Sequence, residues 1–526
     1  MQKLILLICC TYYSIALFSQ THYDLIITNG RIIDGSGSAW YKADVAVKDG
    51  RIVKIGQLTN DTADEMIDAK QRIVCPGFID VHGHIEGSIG IRPTADNLLF
   101  DGVTSMITGN CGRSKPLLGM FFKELDSIGI SMNVGSLIGH NTVRSTVMGE
   151  EDRAPTAEEL ENMKKMVDRG MKEGAVGLST GLIYMPGAFA ETDEIVALAK
   201  IIQPYGGVYT SHIRQEDDRV YKAISEAVEI GRQAKVPVEI SHIKIKGKSS
   251  WGGTDKIINM IEGFREEGID VTADQYPYTA SSTSLSVTVP DWAQSGGRDS
   301  LIIRMNDPLE REKIIEGAKQ KLARFGYSDF TYAVVANCPW NASYNGKNIS
   351  EVNRMKGRGE GLDNEVATIL EMLEKGKRVQ MVYHAMSEDD VKSLMKYENT
   401  MIASDGGIPS FNIGSPHPRS YGTNARVIHR YVNELGLFTL EEAIRKMTSF
   451  PARKYQLIDR GFILPGFAAD ILILDPERIK DMATFEKPHA YSEGIDIVVV
   501  NGEIVIKDKK HTGVRSGKIL RRGQLN

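Results

Sequence analysis

The sequence predicts an α/β chain, a (β/α)8 TIM-like barrel with a small β-sandwich domain built from both chain ends. Three observations predict it. Strand-like runs alternate with helical stretches through the middle, those runs supply eight strand candidates, and both ends read instead as glycine-punctuated β structure.

Residues 1–20, "MQKLILLICCTYYSIALFSQ", differ from everything after them. One lysine precedes an uncharged, mostly apolar run from Leu4 to Phe18, short for a membrane span and suited to a signal-peptide core. Cleavage near Ser19 or Gln20 is expected, with export to a periplasmic or extracellular space and no membrane attachment afterwards. Residues 21–74 read as short strands, "YDLIITNGRIIDG", "KADVAVKDGRIVKIG" and "MIDAKQRIVCPG", whose Asn-Gly and Asp-Gly pairs signal hairpin turns. Residues 460–526 repeat the style in "GFAADILILD" and "IDIVVVNGEIVIKD", so the two ends are expected to form one composite domain.

Residues 75–459 carry the predicted barrel. Its strands are "GFIDVHGH", "TSMITGN", "SMNVGSLIGH", "AVGLST", "GVYTSHI", "PVEISHIKI", "DVTADQYP" and "TMIASDG". Helical stretches separate them; Thr156–Gly174 opens on a Thr-x-x-Glu capping pattern before a periodic apolar face. A ninth run, "VQMVYHA", is assigned to an excursion between the seventh and eighth strands. The irregular stretch at about 284–342 is expected to be an inserted subdomain.

A net charge of −5 without a long basic run gives no reason to expect nucleic-acid binding. Beyond the leader, only Cys75, Cys111 and Cys338 remain, too few for a disulfide framework in an exported chain of this size. One thiol is left over and needs a role.

Catalytic side chains of such barrels stand where strands end. Reading those positions gives His82 and His84, Asn110-Cys111, His140, His212, His242, Asp274 and Asp405. Imidazole, thiolate and carboxylate suit a divalent transition metal, zinc above all. His82 and His84 flank Gly83 at the end of a strand and so project together. The same Ser-His-Ile ends two consecutive strand patterns, and Asp405 stands beside two glycines at the end of the eighth. His140, His384 and His417 are left off the ligand set.

"GFIDVHGH", the two Ser-His pairs, "SDG" and "PGFAADILILD" resemble the amidohydrolase superfamily. Within it, "GNCG", "GLSTGLIYMPG", "YPYTASST" and "HPRSYGT" look like the N-acyl-D-amino-acid deacylases, or D-aminoacylases. The resemblance covers nearly the whole chain after the leader. It implies that Cys111, His212 and His242 hold a tightly bound Zn2+, with His82 and His84 forming a second, weaker site that Cys111 bridges. It implies Asp405 as general base, Lys244 and Arg419 gripping the substrate carboxylate, and Tyr276 and Ser282 beside the scissile amide. The small-molecule substrate would be an N-acyl-D-amino acid, split into a carboxylate and a free D-amino acid. A dipeptidase, a cyclic-amide hydrolase and a non-catalytic metal-binding relative are the alternatives. The segment between "SDGG" and "HPR" is longer than the family's usual one.

Overall fold

A computed structural model describes residues 22–525; the predicted leader lies outside the described residues. The two chain ends meet in one nine-stranded sheet, where Ile73–Pro76 runs antiparallel to Ile471–Leu474. Apolar residues alternate along these strands, as Leu25 with Ile27 and Val45 with Val47, and pack with Ile471 and Ile473 into one buried cluster. The Asp49-Gly50 and Asn501-Gly502 turns both adopt positive φ at both positions, the conformation that closes two-residue hairpins. Asn29-Gly30 is a correction to the turn reading. It lies inside the His22–Ile32 strand, where the pairing register slips at Asn29 (φ 56°), and a Cβ on Gly30 would approach Val74 Cγ2 to 2.7 Å.

The interior is a succession of parallel strands. In chain order these are Phe78–Asp80, Val103–Thr108, Asn133–Ser136 with Ile138–Gly139, Gly177–Gly181, Val208–His212, Val238–Ile240, Val271–Gln275 and Thr400–Ile402. The first three pair in one sheet. Ile138–Gly139 begins a second sheet that runs to Thr400–Ile402. Leu137 interrupts the third strand, and its N–H donates to Thr108 O. A parallel bridge pairs Gly83 with Gly406, joining the end of the last strand to the end of the first. These strands are buried on both faces, small polar residues such as Ser105, Ser179, Thr180, Thr210 and Ser211 included. The Ala157–Lys172 helix has the predicted capping box, Thr156 accepting from Glu159 N–H and Glu159 accepting from Thr156 N–H.

Between the seventh and eighth interior strands, Ser281–Ser284 and Ala333–Asn337 flank Gln380–Tyr383 in an antiparallel sheet. The "VQMVYHA" run is therefore outside the parallel succession. The insertion reaches beyond the predicted 284–342, because a single apolar cluster draws on residues from Leu285 to Ala385. Among the described residues no helix is long and apolar enough to cross a membrane, and Cys75, Cys111 and Cys338 are free and buried.

Candidate active site

The donors gather where the interior strands end. Cys111 Sγ lies 3.3 Å from His82 Nε2, 3.5 Å from His212 Nδ1 and 3.4 Å from His242 Nε2. Three overlapping sets fall within metal-binding reach: His82, His84 and Cys111; Cys111, His212 and His242; His82, His242 and Asp405. Cys111, His242 and Asp405 all have positive φ, at 53°, 35° and 48°. Three non-glycine residues in this region within one cluster mark backbone strain held by the surrounding fold. Gly83 leaves room for the Met106 side chain, whose Sδ would lie 2.2 Å from a Cβ there.

Partners behind the donors set their orientation. Asp274 lies 3.2 Å from His82 Nδ1 through one oxygen and accepts the His242 N–H through the other. Lys244 Nζ stands 2.7 Å from His242 Nδ1 and donates to Glu216 at 2.6 Å; Lys246 holds the other Glu216 oxygen. Burial pushes the pKa of His82 down to about 4 and that of His212 to about 3, and that of His242 well below its ordinary value, so all three are neutral and able to ligate. Burial pushes the Cys111 thiol up, so its thiolate needs a cation. A thiol and three neutral imidazoles converging this closely fit a divalent transition metal.

Asp405 Oδ1 lies 3.0 Å from His84 Nε2, and its Oδ2 pairs with Arg419 at 2.8 Å. Burial opposes its charge, yet the Arg419 guanidinium and His84 hold its carboxyl well below the usual carboxylate range. Arg419 thus stands within the site. His417 fixes it by accepting the Arg419 N–H at 3.1 Å, and the guanidinium lies 4.8 Å from the Tyr276 ring centre.

A cavity of about 680 Å³ opens over the donors, lined among others by His84, Cys111, Tyr184, Ser282, Asp405 and Arg419. The structure brings all the predicted ligands, Asp405, Arg419 and Ser282 to one place, but not every predicted contact. Lys244 is buried against Glu216 and His242 and does not line the cavity, because Glu216 draws its ammonium inward. Tyr276 is also buried off the cavity, its hydroxyl 3.7 Å from Met386 Sδ. Ser282 spends its hydroxyl on Met381 O at 2.8 Å while accepting from Gln380. Tyr184 was missed, although it stands inside "GLIYMPG": it lines the cavity, its ring lies T-shaped against that of His212 at 4.9 Å between centres, and its oxygen accepts from Thr283. Glu216 was missed too, and no spacing rule singles it out. His140 pairs with Glu194 at 2.8 Å, which agrees with its exclusion.

Comparison with known proteins places this geometry among relatives. Residues 65–506 match the amidohydrolase family, and residues 12–92 the urease alpha-subunit N-terminal domain. N-acyl-D-glutamate deacylase of Alcaligenes xylosoxydans xylosoxydans is 34% identical over 96% of this chain and 97% of its own. D-aminoacylase of the same organism is 31% identical over 95% of this chain and 98% of its own. The N-acyl-D-glutamate deacylase structure from Bordetella bronchiseptica, complexed with zinc and a phosphonate mimic of the tetrahedral intermediate, superposes with a TM-score of 0.82. It is 32% identical, covering 95% of this chain and all of that one.

Proposed function

This chain belongs to the amidohydrolase family, and on that premise we propose that it hydrolyses N-acyl-D-amino acids to a carboxylate and a free D-amino acid. One observation carries the reading: Asp405, kept as a carboxylate, shares a cavity with the Cys111 donor set and with Arg419. The two parallel sheets, joined through Gly83 and Gly406, are read as one closed (β/α)8 barrel. The terminal sheet, with one buried cluster of Leu25, Val45 and Ile471 and a smaller one of Tyr23, Ile26, Ala46 and Leu58, is read as a sandwich.

Cys111, His212 and His242 would hold the metal tightly, and His82 with His84 would offer a second, weaker site against the same sulfur. Zinc suits this set of one thiol and several imidazoles. When bound, such an ion acidifies water and polarises the amide carbonyl.

The chain's own residues supply the remaining steps. Asp405 takes the proton of the attacking water and returns it to the departing nitrogen, work worth about 10²–10⁴-fold in rate. Arg419 receives the α-carboxylate that every N-acyl amino acid carries, its planar guanidinium suited to two parallel hydrogen bonds. Tyr276 supports Arg419 from below rather than touching substrate. Tyr184, whose oxygen already accepts from Thr283, is left with a hydroxyl proton to donate into the cavity. Lys244 steadies His242 and Glu216. Residues 1–20 are read as an export leader, which N-terminal sequencing of the secreted protein tests.

The deciding experiment incubates zinc-loaded protein lacking residues 1–20 with paired N-acetyl-D- and N-acetyl-L-amino acids, measuring amine release beside an Asp405→Asn blank. Release from D forms alone, lost in the blank, is expected. Release from dipeptides or cyclic amides only would replace the substrate assignment and leave the metal centre standing.

A further inference from the structure

One wall of the cavity has cations with nothing to hold. Arg113 and Arg378 line the cavity over the donors. Both also line an adjoining space of about 220 Å³ that Arg298 and Lys377 border as well. Glu150 is the one carboxylate in that second lining. Among the described residues none of the four cations comes within 4.0 Å of a carboxylate, whereas Arg311, Lys319, Lys321, Lys356 and Arg358, in the insertion that also carries Arg298, Lys377 and Arg378, each do.

Arg113 places its guanidinium 5.7 Å from the Tyr184 ring centre. Arg378 keeps an open face, yet protein crowds its guanidinium; that burial and the like charge of Arg113 push its pKa down, and only Tyr184 opposes them. Two like charges held together at the junction of two spaces attract an anion into it. Guanidinium forks favour a carboxylate. The α-carboxylate of a substrate is already assigned to Arg419, so a monoanionic substrate would leave Arg113 and Arg378 without a partner.

We propose that the preferred substrates of this protein carry a second carboxylate, bound by Arg113 and Arg378 where the two spaces meet. The inference rests on the deacylase reading and narrows its substrate class. The second carboxylate can belong to the D side chain or to the acyl group, and the test separates the two.

The experiment compares kcat/KM within matched pairs. N-acetyl-D-glutamate against N-acetyl-D-glutamine reports on the side chain. N-succinyl-D-methionine against its terminal amide reports on the acyl group. A preference of about tenfold or more for the dianion is expected in one pair, the size of a charge-assisted contact. It should fall toward parity in Arg113→Gln and Arg378→Gln, be partly restored by Arg378→Lys, and shrink with added salt. Each ratio is internal to one protein sample, so a partly misfolded variant does not distort it. Parity in both pairs, or a preference that survives both glutamine substitutions, overturns the proposal. Hydrolysis of none of the four compounds, or of any other N-acyl-D-amino acid, would instead remove the deacylase reading and this inference with it.

Discussion

On the donor side of the cavity, Cys111, His82, His212 and His242 are buried, and groups such as Asp274, Lys244 and Glu216 stand behind them. On the insertion side, Arg378 reaches solvent without a carboxylate partner, near Arg113 of the loop that follows Cys111, and Ser282 and Gln380 hold mainly each other and the sheet they stand on. The donor side comes from parallel strands whose ends lie at fixed spacing. The insertion side comes from a separate antiparallel sheet with its own apolar core. The metal donors thus stand at the ends of the parallel strands, while part of the facing wall, Arg378 included, stands on a unit with its own core. The contrast is one of support as much as of residue type.

Mutations can break or sharpen that contrast. Asp405→Asn removes the proton carrier on the rigid side, and kcat should fall by about 10²–10⁴-fold; a fall under tenfold in steady-state assays would mean that another group carries the proton. Cys111→Ser exchanges the shared thiolate for a weak ligand. Metal affinity should drop by more than the roughly 10–100-fold typical of outer partners, measured as metal per chain after dialysis against a chelator. Glu216→Gln tests an outer partner directly, since it releases Lys244 and Lys246. A loss of about 10–100-fold in metal affinity is expected, and an unchanged affinity would make the Glu216–Lys244–His242 chain merely structural.

The smallest effect belongs to the insertion. Ile314→Ala, in the buried core of that unit, should destabilise it by about 2–4 kcal/mol. Metal content should stay constant while KM rises a few-fold. Simultaneous loss of metal and insertion in thermal unfolding would show that the two sides are one cooperative unit.

How much of this was legible depended on whether the signal was local. His82 and His84 flank one glycine, the Ser-His-Ile pairs end strands, and Asp405 precedes two glycines; each is readable within a few residues. The capping box at Thr156 and Glu159 is local as well. The extent of the insertion was not legible, because Ser281–Ser284 pairs with Gln380–Tyr383 across about a hundred intervening residues. The surroundings of Lys244 were not legible for a similar reason: its position in "HIK" is visible, but Glu216, which pairs with its ammonium, comes from the loop after another strand. Asn29-Gly30 has a turn's composition and sits in a strand, since the side chain of Val74 decides what fits there.

The seam between the last interior strand and the first carries a consequence for the order of events in synthesis. His84 and Asp405, in contact across it, are 321 residues apart in the chain. Asp80 draws the two edges together, accepting N–H groups from both His82 and Ser404. At a translation rate of about 5–20 residues per second, Asp405 leaves the ribosome roughly 15–60 s after His84. Until then a nascent chain has its histidines and thiol but no proton carrier beside them. Hydrolysis therefore waits on the contact between His84 and Asp405, late in the making of the chain.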